Sequence, residues 1–409
     1  MGTFFSVGGA WMLSKEGFMA GYDWINELKL RTSYGQVGNN RLLDKSGNQI
    51  FFGYQGLYNL GFSNGSFPGT LLYSLPNPDL TWEVSNSFNI GVDFALFSNR
   101  LRGALEYYRR GSDKLLMSVP RPLSTAVSFE YRNVGSMYNR GLELSLAADI
   151  VRNTHFRWTL TTNLATFKNE ITKMPKETPV ITSGSKRWQV GRDFYAFWLR
   201  QYAGVDPADG AALYLPAEGT AENAMRTIDG QKFVTNSNLA MFDYAGSAIP
   251  KLSGSVQSDF EYRGIGLSFL MTYQVGGKIY DSQYAALMNT SSYGKSYHAD
   301  ALNAWTTTNK GSHIPRLDQA NSANINAGST RWLIDASYLS IRNVNLYYRL
   351  PSAWLSKVGV AAGRITASGE NLQLFSKRQG LNPTEQFDGT NSTTYLPTRI
   401  WSLGLNASF

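Results

Sequence analysis

Residues 399–409 alternate apolar side chains with small or polar ones as far as a terminal aromatic. Successive side chains on a strand point to opposite faces, so Trp401, Leu403, Leu405, Ala407 and Phe409 form one apolar face, and Ser402, Gly404, Asn406 and Ser408 a polar one. A closing strand of this kind is the pattern of an outer-membrane β-barrel. Trp401, Leu403, Leu405 and Phe409 then read as a carboxyl-terminal insertion signal.

The same period of two recurs upstream at lengths suited to tilted strands crossing a bilayer. Across 155–168, Phe156, Trp158, Leu160 and Leu164 face one way, and Arg157, Thr159, Thr161 and Asn163 the other. The preceding segment, 141–150, sets Leu142, Leu144, Leu146 and Ile150 against Glu143, Ser145 and Asp149, with only 151–154 between the two. The same hairpin logic joins 88–97 to 101–110 through Ser98-Asn99, and 252–262 to 265–275 through Arg263-Gly264. Further strands are expected at 4–13, 28–35, 338–350 and 364–375.

The connections alternate in length. Short ones sit near Ser98, Asn153 and Arg263, and moderate ones at 15–27 and 351–363. Long stretches rich in Gly, Asn, Ser and Pro run through 36–81, 111–136, 169–249, 276–336 and 376–397. Short periplasmic turns and long outer loops sort in this way in membrane barrels. Segments 195–204 and 211–215 have strand character, but counting them as crossings breaks the alternation, so they read as an extracellular hairpin. The expected fold is all-β, an antiparallel transmembrane β-barrel of about eleven strands.

Single-chain bacterial barrels have an even strand number. An odd count, with Phe409 periplasmic, places residue 1 on the outer side. Residues 1–409 are therefore expected to be the carboxyl portion of a larger barrel, whose last strand closes on an earlier strand outside the chain.

Composition agrees. No stretch approaches the roughly 20 apolar residues of a membrane-spanning helix, although 43% of the chain is hydrophobic. The 23 Tyr, 22 Phe, 10 Trp and 39 Gly suit strands with aromatic girdles. Cysteine is absent, which excludes disulfides and thiolate metal sites. The net charge of +8 comes from Lys and Arg scattered over the chain, with no clustered patch for nucleic acid. The first residues lack the basic and apolar regions of a secretory signal, so the start reads as trimmed.

Chemistry-bearing motifs are few. His155, His298 and His313 lie too far apart in sequence for a compact metal motif. Asp206 and Asp209, in Val-Asp-Pro-Ala-Asp-Gly, have the spacing of a cation loop, but Pro207 and Gly210 favour a turn. Glu143 and Asp149 share a strand face as catalytic carboxylates do, and wet lumen-facing residues are the favoured reading. There is no phosphate-cradling loop and no nucleophile elbow, so no enzyme, metal or cofactor is expected. Aromatics crowd two long loops: Trp188, Tyr195, Phe197, Trp198 and Tyr202 in one, and Tyr280, Tyr284, Tyr293, Tyr297 and Trp305 in the other. Such rings suit stacking on sugars or contact with a partner lipoprotein. Packing of the loops on each other, or an outer girdle, is the favoured alternative.

Several segments carry a family resemblance. They are Leu-Lys-Leu-Arg-Thr-Ser-Tyr-Gly at 28–35 with Gly38-Asn39, Asn-Pro-Asp-Leu-Thr-Trp-Glu at 77–83, and Asn-Ile-Gly-Val-Asp-Phe at 89–94. Others are Asn-Val-Gly-Ser-Met at 133–137, Asn-Arg-Gly-Leu-Glu at 139–143, and Ala-Gly-Val-Asp-Pro at 203–207 with Asp209-Gly210. Pro250-Lys251, Tyr-Leu-Ser-Ile-Arg-Asn-Val at 338–344 and Ser-Gly-Glu-Asn-Leu at 368–372 complete the set. Together they resemble the SusC/RagA family of TonB-dependent outer-membrane transporters.

That resemblance implies the carboxyl half of a barrel of about 22 strands, without plug domain, TonB box or signal peptide. It implies residence among the lipids of the outer membrane of a Gram-negative, Bacteroidetes-like cell. It further implies import of nutrients, glycan or peptide, with a SusD-like lipoprotein and with energy from the TonB-ExbB-ExbD complex through the plug segment. Two other readings stay open: a self-standing barrel or adhesin, and a soluble all-β binding module.

Overall fold

The computed structural model describes residues 2–43, 48–125, 127, 129–291, 294–391 and 396–409. Each segment expected to cross a bilayer is a strand. They are β1 (Ser6–Met12), β2 (Ile25–Asn39), β3 (Glu83–Leu96), β4 (Leu101–Asp113), β5 (Ser136–Arg152) and β6 (Phe156–Ala165). The remainder are β7 (Leu252–Tyr262), β8 (Ile265–Val275), β9 (Tyr338–Arg349), β10 (Ala362–Ser376) and β11 (Ile400–Ser408). The chain packs as two compact units, one of residues 1–148, 165–181 and 188–194, the other of 149–164, 182–187 and 195–409.

In the first unit β1 to β5 pair antiparallel in sequence order. The register aligns Leu30, Val92, Leu105 and Leu144 as one apolar row across four strands. One residue along, the opposite face carries charge. The Asp93 carboxylate accepts from Lys29 Nζ at 3.2 Å and from Arg31 Nε at 3.1 Å, and Arg31 Nη2 continues to Glu106 at 2.6 Å. Glu143 lies directly across from Glu106, on this same wet face. Charges of this density are tolerated only away from lipid, which assigns the two faces.

The second unit repeats the arrangement with β6 to β11 in order. Phe260, Leu267, Leu346, Ala367 and Leu403 form an apolar row, and Asp259, Ser268, Asn345, Ser368 and Ser402 the adjacent polar one. Rings thicken the apolar side, where Trp158 and Phe269 stack on Phe260 at 5.5 and 6.1 Å. The terminal strand fits its expected register, with Trp401 opposite Gly369 and Leu405 opposite Ile365. Leu403 is 86% exposed and Phe409 94%, as suits side chains whose solvent is hydrocarbon.

The turns explain the short connections. Arg263 and Gly264 both adopt positive φ, 47° and 86°, which is what a two-residue turn needs to match strand twist. At the β5–β6 turn the Asn153 side chain accepts from the backbone N–H of His155 (3.0 Å) and Phe156 (2.7 Å), closing the link locally.

One expectation changes. Segment 195–204 is not a single hairpin arm with 211–215. Ala196–Arg200 pairs with Phe242–Ser247, and only Tyr202–Val205 pairs with Ala212–Tyr214. The break falls at Gln201, whose amide N–H donates to Met241 O and whose side chain reaches the carbonyls of Leu199 and Asp243.

The face assignment is testable by substitution. Leu105→Arg, in the middle of the apolar row, should cost about 2–4 kcal/mol in urea unfolding from lipid vesicles. Glu143→Gln on the opposite face should stay within about 0.5 kcal/mol. Equal costs would reverse or abolish the assignment.

The long-loop assembly as the candidate functional site

The long loops fold instead of trailing. In the second unit they contain small strands, short helices and a core whose largest side chains, Trp332, Tyr214 and Phe197, are fully buried. Tyr280 packs against two parts of that core, the Phe197–Leu199–Ala248 group and the Met288–Ala301–Trp332 group.

Asp281, almost fully buried, holds this assembly together. It caps the helix Ser282–Leu287 by accepting from Tyr284 N at 3.1 Å. Its Oδ1 accepts from Asn391 Nδ2 (2.9 Å) and its Oδ2 from Arg378 Nη1 (2.8 Å). Asn391 in turn accepts from the N–H of Ser282 at 2.7 Å, and the Arg378 guanidinium lies 3.4 Å over the Tyr284 ring. One carboxylate therefore ties residues 281–284 to 378 and 391, and its burial is compensated by a cation and two hydrogen bonds.

Tyr195, Trp198, Tyr202, Tyr280, Tyr284 and Trp305 are half-buried in this assembly. Tyr195 meets Phe387 edge-on at 5.1 Å, and burial raises its hydroxyl pKa. Trp198 sits between Tyr244 (4.9 Å) and Phe242 (6.4 Å), with the Arg187 guanidinium 3.9 Å over its ring. Tyr202 meets Tyr214 edge-on at 5.7 Å, and its hydroxyl is buried without a hydrogen-bond partner. Tyr284 donates to Asp300 at 2.8 Å and meets His298 edge-on. Tyr297 is exposed. Trp305 donates to Pro207 O at 3.2 Å and packs over Gly210, whose φ of 75° and lack of a Cβ leave room for the indole. Trp188 belongs to the first unit, stacked on Phe194 at 4.4 Å. Tyr293 lies outside the described residues.

Asp206, Asp209, Asp149 and His298, four of the carboxylates and histidines singled out in the sequence, have local partners. Arg226 bridges Asp206 at 2.9 Å and Asp209 at 2.7 Å, filling the loop with a guanidinium. Burial pushes the Asp209 carboxyl up, and its hydrogen bonds to Arg226 and Ala211 N overcome this to hold it below the usual range. Asp149 accepts from Thr159 Oγ1 at 2.9 Å. His298 Nδ1 accepts from Asp300 N at 3.1 Å, capping a short 3-10 helix. Among the described residues no three His, Asp or Glu side chains converge as metal ligands.

Comparison with known proteins then places the chain. The profile of the family described as TonB dependent receptor-like, beta-barrel matches residues 9–372. The chain belongs to this TonB-dependent receptor β-barrel family. It is an outer-membrane protein. The receptor chain is 26% identical over 432 residues to TonB-dependent receptor P3 of Formosa agariphila, covering all of itself and 42% of that protein. It is 27% identical over 433 residues to TonB-dependent receptor SusC of Bacteroides thetaiotaomicron, covering 40% of it. The RagAB peptide transporter structure superposes with a TM-score of 0.82 at 26% identity, over 99% of this chain and 43% of the other. The chain thus spans about two fifths of the length of these relatives.

Asp281, Arg378 and Asn391 escaped sequence reading because about 100 positions separate the partners. Only the Asp-Ser pair opening a helix gave a local signal for Asp281.

Two outcomes follow for this receptor's loops. Asp281→Ala strands Arg378 and Asn391 and should destabilise the loops by about 3–5 kcal/mol, read as rapid cleavage in limited proteolysis. Burial pushes the hydroxyls of Tyr202, Tyr214 and Tyr284 up to about 12, the last with help from its hydrogen bond to Asp300. Folding favours their neutral forms. This stabilisation is therefore complete below pH about 10 and is lost as pH climbs from about 10 to about 12. Tyrosinate absorbance should show a late-titrating class in this window, with proteolytic opening of the loops alongside it; a single titration near the ordinary value would contradict the burial.

Proposed function

We propose that the chain serves as the carboxyl-side part of an energised importer that carries oligomeric nutrients, glycan or peptide, across the outer membrane. The observation that carries this reading is structural. In the first unit the strands carry one charged, wet face, and in the second the long loops fold into an ordered assembly lined by half-buried aromatic rings. A wet inner face suits passage of polar solutes, and rings with polar edges suit their capture. Similarity to SusC and to a peptide transporter supports the same reading. Trp188, Tyr195, Trp198, Tyr202, Tyr280, Tyr284, Tyr293 and Trp305 are the proposed contacts for ligand or partner.

On this reading the importer works with a SusD-like surface lipoprotein and draws energy from TonB-ExbB-ExbD. The protein's role is capture and passage, with no chemical conversion of the solute. Growth of a strain lacking the gene, on a panel of glycans and peptides, tests this directly. A selective defect on one class of oligomer is expected; growth equal to the parent on every source would overturn the proposal.

A further inference from the structure

A cavity of about 550 Å³ opens at the loop-bearing ends of β9 and β10, within the second unit. Its walls carry Arg342, Arg378 and Arg399, and no Asp or Glu among the described residues. Leu372, Leu374 and Leu396 supply apolar surface beside them. Arg378 is already neutralised by Asp281. Among the described residues neither Arg342 nor Arg399 has an ion-pair partner.

Backbone geometry sets Arg342 in this cavity. Both ladders of β9 shift register here, between Leu270 and Met271 on the β8 side and between Ile341 and Asn343 on the β10 side, so Arg342 is skipped in each. A bulge of this kind re-aims a side chain. Across from it Asn371 adopts a φ of 50°, a left-handed conformation that carries strain in a residue with a Cβ. Asn371 Nδ2 donates to Thr398 O at 3.2 Å, next to Arg399.

The guanidiniums commit little of their hydrogen-bonding capacity to protein groups. Among the described residues Arg342 makes two long contacts, Nε to Thr272 Oγ1 at 3.3 Å and Nη1 to Asn371 Oδ1 at 3.5 Å. Arg399 makes one, Nη2 to Gln373 Oε1 at 3.4 Å. Each guanidinium has five N–H donors, so most remain available. Two unpaired guanidiniums in a cavity without carboxylates form a site for a planar oxyanion, which Arg binds through paired charge-assisted hydrogen bonds.

We infer that Arg342 and Arg399 form a carboxylate-binding subsite at the outer mouth of the strands, which selects acidic oligomers. The role assigned to the bound solute rests on the import reading above. A volume of this size takes a short stretch of an oligomer, with its acidic group on the guanidiniums and its body on the leucines. The carboxylate comes either from an acidic peptide or from a uronic-acid glycan.

Calorimetric titration of the detergent-solubilised protein separates these sources. The probes are triglutamate and tri-galacturonate, with acetylated trialanine amide and maltotriose as their neutral counterparts. At least one acidic probe should bind, and Arg342→Gln and Arg399→Gln should each weaken it by at least about tenfold, while binding of neutral probes is unchanged. Arg342→Lys keeps the charge without the planar fork and should recover only part of the loss. Heat-modifiable mobility on gels confirms that each variant is folded. Arg399 is exposed and immediately precedes β11, so its variant carries the test even where Arg342 variants fail to assemble.

Acidic probes that bind no better than neutral ones, or an affinity indifferent to both arginines, would overturn the inference. In that case a selective growth defect would still leave import standing. Arginine-dependent binding of an acidic probe without any growth defect would instead remove import and keep the subsite.

Discussion

Hydrocarbon offers no hydrogen bonds, so every backbone N–H and C=O that enters it needs a partner within the protein. In this chain antiparallel ladders supply those partners, and the rest of the structure follows from that arrangement. A ladder presents two faces, and each face takes its chemistry from its surroundings. Leu30, Val92, Leu105 and Leu144 lie in register on one side, while Lys29, Arg31, Asp93 and Glu106 link three strands on the other. Shifting any of these strands by one residue would carry the charges into lipid, so the ionic face also fixes register.

The loops obey a different rule. Their polar groups have water available, yet they bury a core, and the Asp281 side chain is buried with it. Burying a carboxylate is tolerated because Arg378, Asn391 and the helix N-terminus at Tyr284 all converge on it. Tyr280 and Tyr284 pack beside this polar pin, half-buried. On the import reading proposed above, half-buried rings lose less freedom on meeting a ligand than mobile loops would.

Much of this was legible in the residues. Period-two alternation predicted the eleven long strands, including β6 with Trp158 and β11 with Leu403, because a strand between lipid and water must alternate. Connection lengths sorted turns from loops. Within the loops prediction weakened: Ala196–Arg200 found its partner in Phe242–Ser247 instead of in 211–215, because short strands in a folded loop pair according to their packing. Asp206 and Asp209 had the spacing of a cation loop but Pro207 and Gly210 favoured a turn; they form that turn and hold Arg226, a residue whose proximity no local spacing announces.

By itself the amino-acid sequence determined the strands, their faces and the order of short and long connections, since each depends on neighbours a few positions away. Tertiary structure alone decided which loop residues meet. Asp281 with Arg378 and Asn391, and Arg342 opposite Asn371, are brought together by chain closure over tens to a hundred residues. Their chemistry is collective, arising from burial and from the charges that are or are not nearby, and no single segment of the chain contains that information.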